Sequence, residues 1–483
     1  MHRKWRALII VCVAVFMLLL DIMVVNVALP DMQRELHASF TDLEWVVDAY
    51  ALMLATTMLN AGNLGDLLGR KRVFVSGVVL FTAASAACGA ATSPLFLNLA
   101  RGAQGIGGAI MFAVSLAILS QEFHGKERGT AFGIWAATVG AAVAIGPLVG
   151  GVLTTWLGWR WIFFVNLPIG ALCVAGAIRV LHESRNEERT GFDLPGFLTF
   201  TGGLFSLVLA LLRGNDWGWS SGREIALYAA GVVLIGGFIV AERLQREPML
   251  DLSLFRVPTF TGVQIVAFVI SAAMFSQFLY LTIYLQNVLG YSPIQAGLRF
   301  LPISVLSFVV APIAGRLSAR LPVRLLLGAG LGLIGVALLL MRGVTTTSGW
   351  IGLLPGFLLA GVGIGMVNAP LAATAVSVVE PRRAGMASGI NNTFRQVGIA
   401  TGIAGLGAVF QDTIRSKLHG AASAQAVASG AVRQGGDIAR AAFVGGLNEI
   451  LLVSAIVAFT GAVLALALVR RRDLVASGPA AAA

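Results

Sequence analysis

Four charged side chains stand inside long apolar runs of this chain: Asp21, Asp48, Arg101 and Arg395. A charge near the centre of a membrane helix costs about 2.5–3.5 kcal/mol on insertion scales, so each calls for a use. Burial raises the pKa of a carboxylate and a nearby cation lowers it again, so an acid held between the two can bind and yield a proton. A fixed ion pair that only holds helices together is the competing reading of Asp21 and Arg101. A wetted position near the membrane edge competes for Asp48. Asn26, Gln104 and Gln396 are polar companions on the same runs. Asn26 suits either a substrate contact or a packing role.

These charges are exceptions in an apolar chain. Of 483 residues 57% are hydrophobic and 12% charged, with a mean hydropathy of +0.85. A soluble domain carries about 25% charged residues, so the composition excludes an ordinary soluble protein. Fifty-eight glycines are spread through the apolar runs, where they suit close helix packing in lipid. Runs of spanning length lie near 8–30, 43–63, 73–92, 95–120, 129–156, 159–181, 194–212, 223–241, 259–288, 293–314, 324–341, 350–379, 385–410 and 444–469. The expected fold is therefore all-α and polytopic, with fourteen transmembrane helices. The N-terminal run is of spanning length and lacks a small-residue cleavage site, so a retained helix is expected. Cys12, Cys88 and Cys173 lie in apolar runs without a pairing pattern.

An even number of spans puts both ends on one side. With that side cytoplasmic, the inside segments hold 22 of the 34 Lys/Arg and the outside segments ten. The net charge of +11 then follows from the excess of cations in cytoplasmic loops, without nucleic acid as a partner. Six tryptophans, Trp156, Trp159, Trp161, Trp217, Trp219 and Trp350, mark the outer edge. In this frame Asp21 lies roughly 13 Å and Arg101 roughly 9 Å from the outer end, at matching depth for an interaction. Asp48 is shallower, and Arg395 is roughly 15 Å in from the cytoplasm.

The chain also repeats. GNLGDLLGRKR (62–72) aligns with GRLSARLPVR (315–324), pairing Gly62 with Gly315, 253 residues later. GTAFGIWAATVGAAVAIG (129–146) aligns with GMASGINNTFRQVGIATG (385–402), pairing Gly129 with Gly385, 256 residues later. Two near-equal offsets imply two parallel six-helix bundles, 1–190 and 258–483, with two inserted helices at 191–257. Parallel halves of this kind place a binding site between them near the midplane and alternate access by rocking. The pattern points to a transporter.

In the turn 62–72, Gly62, Gly65, Gly69, Arg70 and Lys71 surround an acid, Asp66. Part of this turn is a basic anchor. The acid is expected to dock on the positive N-terminal end of the helix that starts near Ala384, closing a cytoplasmic gate. Gly146, Pro147, Gly150 and Gly151 predict a helix bend or generic close packing. The five histidines fall outside the runs, and no metal set, nucleophile constellation or phosphate loop assembles at membrane depth. An enzyme is not expected, and an ion gradient rather than ATP is the expected energy source.

At these residues the sequence resembles the major facilitator superfamily, and within it the fourteen-helix drug:proton antiporter branch. LDIMVVNVALP (20–30), WVVDAY (45–50), GNLGDLLGRKR, LARGAQGIGGA (99–109), GPLVGG (146–151), WRWIFFVNLPIG (159–170) and GINNTFRQVG (389–398) carry the likeness along nearly the whole chain. The resemblance implies proton-coupled export of hydrophobic or amphipathic compounds such as drugs, antibiotics or dyes. It implies Asp21 and Arg101 in coupling or substrate binding, and Asp66 and Arg70 in the gate. Met23 and Leu67 depart from the branch, which often has threonine and arginine there, and Ala319 replaces the acid in the second copy. A proton symporter importing a metabolite and a non-transporting membrane sensor are the alternative functions. The expected partners are a small molecule, protons and lipid. The expected setting is a bacterial inner membrane, with a monomer, both termini cytoplasmic and no metal or cofactor.

Overall fold

The computed structural model describes residues 3–186, 191, 193–245, 248–318, 320–418, 427 and 436–473. Side chains of a few helical residues, Asn26 and Pro147 among them, lie outside the described set. The helices are α1 (Arg3–Leu36), α2 (Phe40–Leu68), α3 (Arg70–Gly89), α4 (Pro94–Glu122), α5 (Gly125–Leu157), α6 (Trp161–Phe164), α7 (Asn166–Val180), α8 (Leu194–Trp217) and α9 (Gly222–Leu244). They continue as α10 (Pro258–Ile270), α11 (Gln277–Ile283), α12 (Pro293–Leu317), α13 (Val323–Met341), α14 (Leu354–Ser377), α15 (Ala384–Lys417) and α16 (Gly436–Leu468). No strand occurs among the described residues.

Twelve helical stretches among the described residues are long and apolar enough to cross a membrane. Several run beyond the apolar windows that locate them. α1 continues to Leu36 and α8 to Trp217, because a helix satisfies its own backbone and need not stop where lipid ends. One expectation shifts in consequence. Arg213, which the sequence places just past a span, lies inside α8 and is 1% exposed. Between the spans expected at 385–410 and 444–469, α15 takes the start and α16 the end, and 419–426 and 428–435 lie outside the described residues.

The sequence repeat reappears as a reciprocal contact. α2 packs on α15 and α5 packs on α12. A Cβ on Gly62 would meet the Gly385 carbonyl oxygen at 2.1 Å, and a Cβ on Gly129 would meet the Gly315 oxygen at 2.1 Å. Further along, Gly389 lies on Met58 and Leu59, and Gly133 on Ala311 and Pro312. Each partner set is the other shifted by 253 residues on one side and 256 on the other. The same symmetry holds at the helix starts. Ser39 and Asp42 form a capping box for α2, and Ser292 and Gln295 form one for α12, each satisfying amides that a helix start leaves unpaired.

The face that carries Arg3 and Asp473 is here the terminal face. Near it the two bundles share one core. Ala311, Ala369, Ala372 and Val376 pack with Met58, Phe112, Phe132 and Trp135. At this end buried apolar side chains fill the seam between the bundles.

Candidate functional site

Asp21 sits just past the middle of α1 and is 1% exposed. Its Oδ2 accepts from Arg101 Nη1 at 2.5 Å. Its Oδ1 accepts from Gln104 Nε2 at 2.9 Å and from Asn166 Nδ2 at 3.1 Å. Asn166, the first residue of α7, also donates to Ser85 Oγ at 3.0 Å, and Ser85 donates to the Phe163 carbonyl. Arg101 has further partners in Gln104 Oε1 at 2.7 Å and the Val46 carbonyl at 3.0 Å. The Tyr50 ring lies 4.2 Å from its guanidinium carbon, within range of a cation–π contact. The network draws on α1, α2, α3, α4, α6 and α7, all in the first bundle.

Such a cluster is stable only when complete. A buried ion pair repays desolvation when its remaining donors and acceptors are matched, and removing one partner costs about 3–5 kcal/mol. Arg101 and Gln104 are one helical turn apart on α4, so both reach the same carboxylate. The interaction between Asp21 and Arg101 that depth alone suggested is direct, and Gln104 belongs to it. The second bundle has no copy: Met274 stands 253 residues after Asp21.

Asp66 lies at the terminal face and is 2% exposed. Its Oδ1 accepts from Arg70 Nη2 at 2.8 Å and Nε at 3.0 Å and from the Gly385 amide at 3.1 Å; its Oδ2 accepts from the Met386 amide at 2.9 Å. Gly385 and Met386 open α15, so the carboxylate sits on a helix N-terminus, where unpaired amides and the dipole favour an anion. Arg70 Nη2 also donates to the Pro381 carbonyl at 2.7 Å. The turn glycines have separate reasons. Gly69 has φ +110°, the region glycine adopts freely. Gly62 and Gly65 lie against Gly385 and Val114. The segment after α7 lies over the same turn. Glu183 accepts from the Lys71 and Arg72 amides, Ser184 from the Arg70 amide, and Asn186 donates to the Asp66 carbonyl.

The remaining candidates separate. Asp48 meets Arg213 of α8 at 2.9 Å, Glu44 meets the same guanidinium at 2.7 Å, and Trp45 lies under it at 4.6 Å. Asp48 therefore belongs to the contact between α2 and α8, apart from Asp21. Arg395 donates to Asn368 Oδ1 at 3.0 Å, and Gln396 is half-buried beside it. Helix α5 is continuous through 146–151. Gly146 packs on Met23, Gly150 on Val24 and Gly151 on Ile294, so this face holds α1 close beside Asp21. Asn26 and Pro147 side chains lie outside the described set. Among the described residues no group of His, Cys, Asp and Glu could hold a metal. Outside the spans, burial raises the Asp251 carboxyl, but hydrogen bonds from Ser253 and Arg383 outweigh it and hold it below the usual range.

The family model of the Major Facilitator Superfamily matches residues 11–403. The chain belongs to that superfamily. It is a multi-pass membrane transporter rather than an enzyme. The multidrug resistance protein Stp of Mycobacterium tuberculosis is 39% identical over 405 residues, covering 84% of this chain and 75% of that protein. The tetracenomycin C resistance and export protein of Streptomyces glaucescens is 33% identical, covering 85% of this chain and 77% of its own. The solved structure of the proton:xylose symporter XylE matches with a TM-score of 0.68 over 97% of this chain and 96% of that one, at 14% identity. That likeness speaks for the shared fold.

As a superfamily transporter the chain holds polar residues that the sequence singles out only faintly. Asn166 lies within WRWIFFVNLPIG, a motif seen but not tied to Asp21. Ser85 and Asn368 are single polar residues in apolar runs, a sign common in packing. Glu44 and Arg213 fall at span edges, where charge is ordinary.

Proposed function

We propose that this chain is an efflux antiporter that exports hydrophobic or amphipathic small molecules in exchange for protons. The observation that carries the export reading is the kinship with a multidrug resistance protein and an antibiotic resistance and export protein across most of the chain. Coupling to protons rests on Asp21, the acid at membrane depth that the first bundle encloses with Arg101, Gln104 and Asn166. Protonation removes the charge that Arg101 opposes, so the ion pair weakens and α1 is freed to move against α4. Gly146 and Gly150 carry that movement to α5 through Met23 and Val24. Return of the charge restores the network.

We further propose fourteen spans, since α2 and α5, 29 and 33 residues long, join the twelve apolar stretches. The bundles are 1–190 and 258–483, with 191–257 inserted. The terminal face is cytoplasmic, as the positive-inside rule favours, and the protein acts as a monomer in a bacterial inner membrane without a cofactor. With buried apolar side chains across the seam at that face, the described state is closed to the cytoplasm, and Asp66 docked on α15 is the latch.

The test is transport in everted membrane vesicles with a panel of hydrophobic dyes and antibiotics, while lumenal pH is followed. Compounds should accumulate under a proton gradient and dissipate it as they enter. A panel that neither accumulates nor disturbs the gradient overturns the proposal. Accumulation driven equally well by Asp21→Asn overturns the coupling role.

A further inference from the structure

Arg395 is a cation at membrane depth that meets no anion among the described residues. It lies in α15 about 16 Å from the helix start at 1.5 Å per residue, and it is 8% exposed. Nη1 donates to Asn368, while Nη2 is buried without a hydrogen-bond acceptor. Among the described residues no carboxylate pairs with it, in contrast to Arg70, Arg101 and Arg213. One turn before it, Asn392 is fully buried, and its Oδ1 also lacks a partner.

Packing does not require this charge. At the equivalent place in the first bundle, 256 residues earlier, stands Val139. The glycine contacts around that seam are otherwise the same. An isolated buried guanidinium costs several kcal/mol after relaxation, so something must offset it. Its direction is informative too. Successive residues turn by about 100° around a helix. Gly385 and Gly389 face α2, while Asn391 and Gly398 face α10. Arg395 and Asn392 fall between those directions, on the side that meets α14 and, in the first bundle, α4. They look toward the space the two bundles share.

We infer that Arg395, positioned by Asn368, is an anion-recognition point in the transport site. The compound it takes carries a carboxylate, phenolate or similar delocalised acid on an apolar body. This rests on the efflux reading for the transport step, though not for binding. A planar guanidinium with one edge held by Asn368 presents its free N–H groups to an oxyanion at low dielectric, where such bonds are strongest. Asn392 Oδ1 accepts a hydroxyl or amide hydrogen beside that oxyanion. A cationic compound meets the same field as repulsion.

The test uses fluorescein, an anionic xanthene, and a cationic rhodamine ester with the same ring system. Anisotropy with the full chain in nanodiscs gives binding, and everted vesicles give transport. The parent protein is expected to bind fluorescein about tenfold more tightly than the rhodamine ester, a difference of about 1.4 kcal/mol. Arg395→Gln should weaken fluorescein about tenfold and leave the rhodamine ester unchanged or tighter. Asn368→Ala should weaken fluorescein while retaining the preference. Arg395→Lys keeps a charge without the fork and should fall between parent and Arg395→Gln, which serves as the test should the glutamine variant not fold. A parent that prefers the rhodamine ester, or fluorescein binding equal in parent and both Arg395 variants, overturns the inference. Arg395-dependent binding without transport supports the anion point and overturns the efflux reading instead.

Discussion

Gly62 and Gly385 meet backbone to backbone, one from each bundle, and Gly129 and Gly315 repeat the meeting on the other side of the molecule. In each pair any Cβ would overlap a carbonyl oxygen at 2.1 Å. The closed terminal face is therefore built from two equivalent contacts that tolerate only hydrogen.

Gly62→Ala should force this face apart. Overpacking of a tight contact costs about 1–3 kcal/mol, enough to move a balanced equilibrium by about five- to 150-fold. Spectroscopic distances across the face should lengthen in Gly62→Ala and equally in Gly129→Ala. Distances that change in one variant alone would show that the two contacts are not equivalent.

The Asp66 carboxylate joins the bundles on the α2–α15 side only. On the other side Arg316 donates to Thr130 at 3.3 Å at an exposed position. Asp66→Asn keeps shape but loses the charge that both Arg70 and the α15 start prefer. A charged hydrogen bond is worth about 1.5–3 kcal/mol. The expected outcome is a wider α2–α15 distance distribution, with α5–α12 distances changing less. An unchanged α2–α15 distribution rules out the latch.

For the Asp21 pair, stability and coupling separate in a double variant. Asp21→Asn leaves Arg101 without its counter-charge, at a cost of about 3–5 kcal/mol. Adding Arg101→Gln removes the orphaned cation, so melting temperature should recover much of the loss while proton exchange stays absent. Recovery of proton-driven transport in the double variant would make the pair merely structural.

The strut between Asp251 and Arg383, at 2.8 Å, offers a pH signature. Asp251 is held below its usual range, so its contribution is full above the unfolded pKa and fades as pH falls through the lower folded value. Asp251→Asn should melt below the parent at neutral pH, and the gap should close only once pH falls below the ordinary carboxylate range. A constant gap across that window removes the assigned cause.

Much of this was legible in residues and spacing. The near-equal offsets of Gly62/Gly315 and Gly129/Gly385 predict two copies, and the structure adds that the copies touch through those same glycines. Ser39 and Ser292 carry the 253-residue offset as well, yet short polar caps are common enough to pass unnoticed. Depth along the helices brings Asp21 near Arg101 but cannot say which of many polar residues complete the shell. Asn166 and Ser85 enter through rotation about helix axes, which hydropathy does not record. Arg213 was hidden for a different reason: a span window ends where apolar residues end, while the helix goes on and turns its next cation inward.

Helix α8 makes the two sides of the molecule unequal for anything dissolved in lipid. α8 lies along the seam between α2 and α15, with Thr201 bonded to Asn60 and Leu204 and Val208 packed beside Leu52 and Ala400. On the opposite side, α12 turns Val305, Phe308, Val309 and Ile313 outward, each more than a third exposed. A compound diffusing within a leaflet thus meets one flank that is lined by a third helix and another formed by α5 and α12. Lateral access, if the cycle uses it, has a handedness that the twofold repeat alone does not contain.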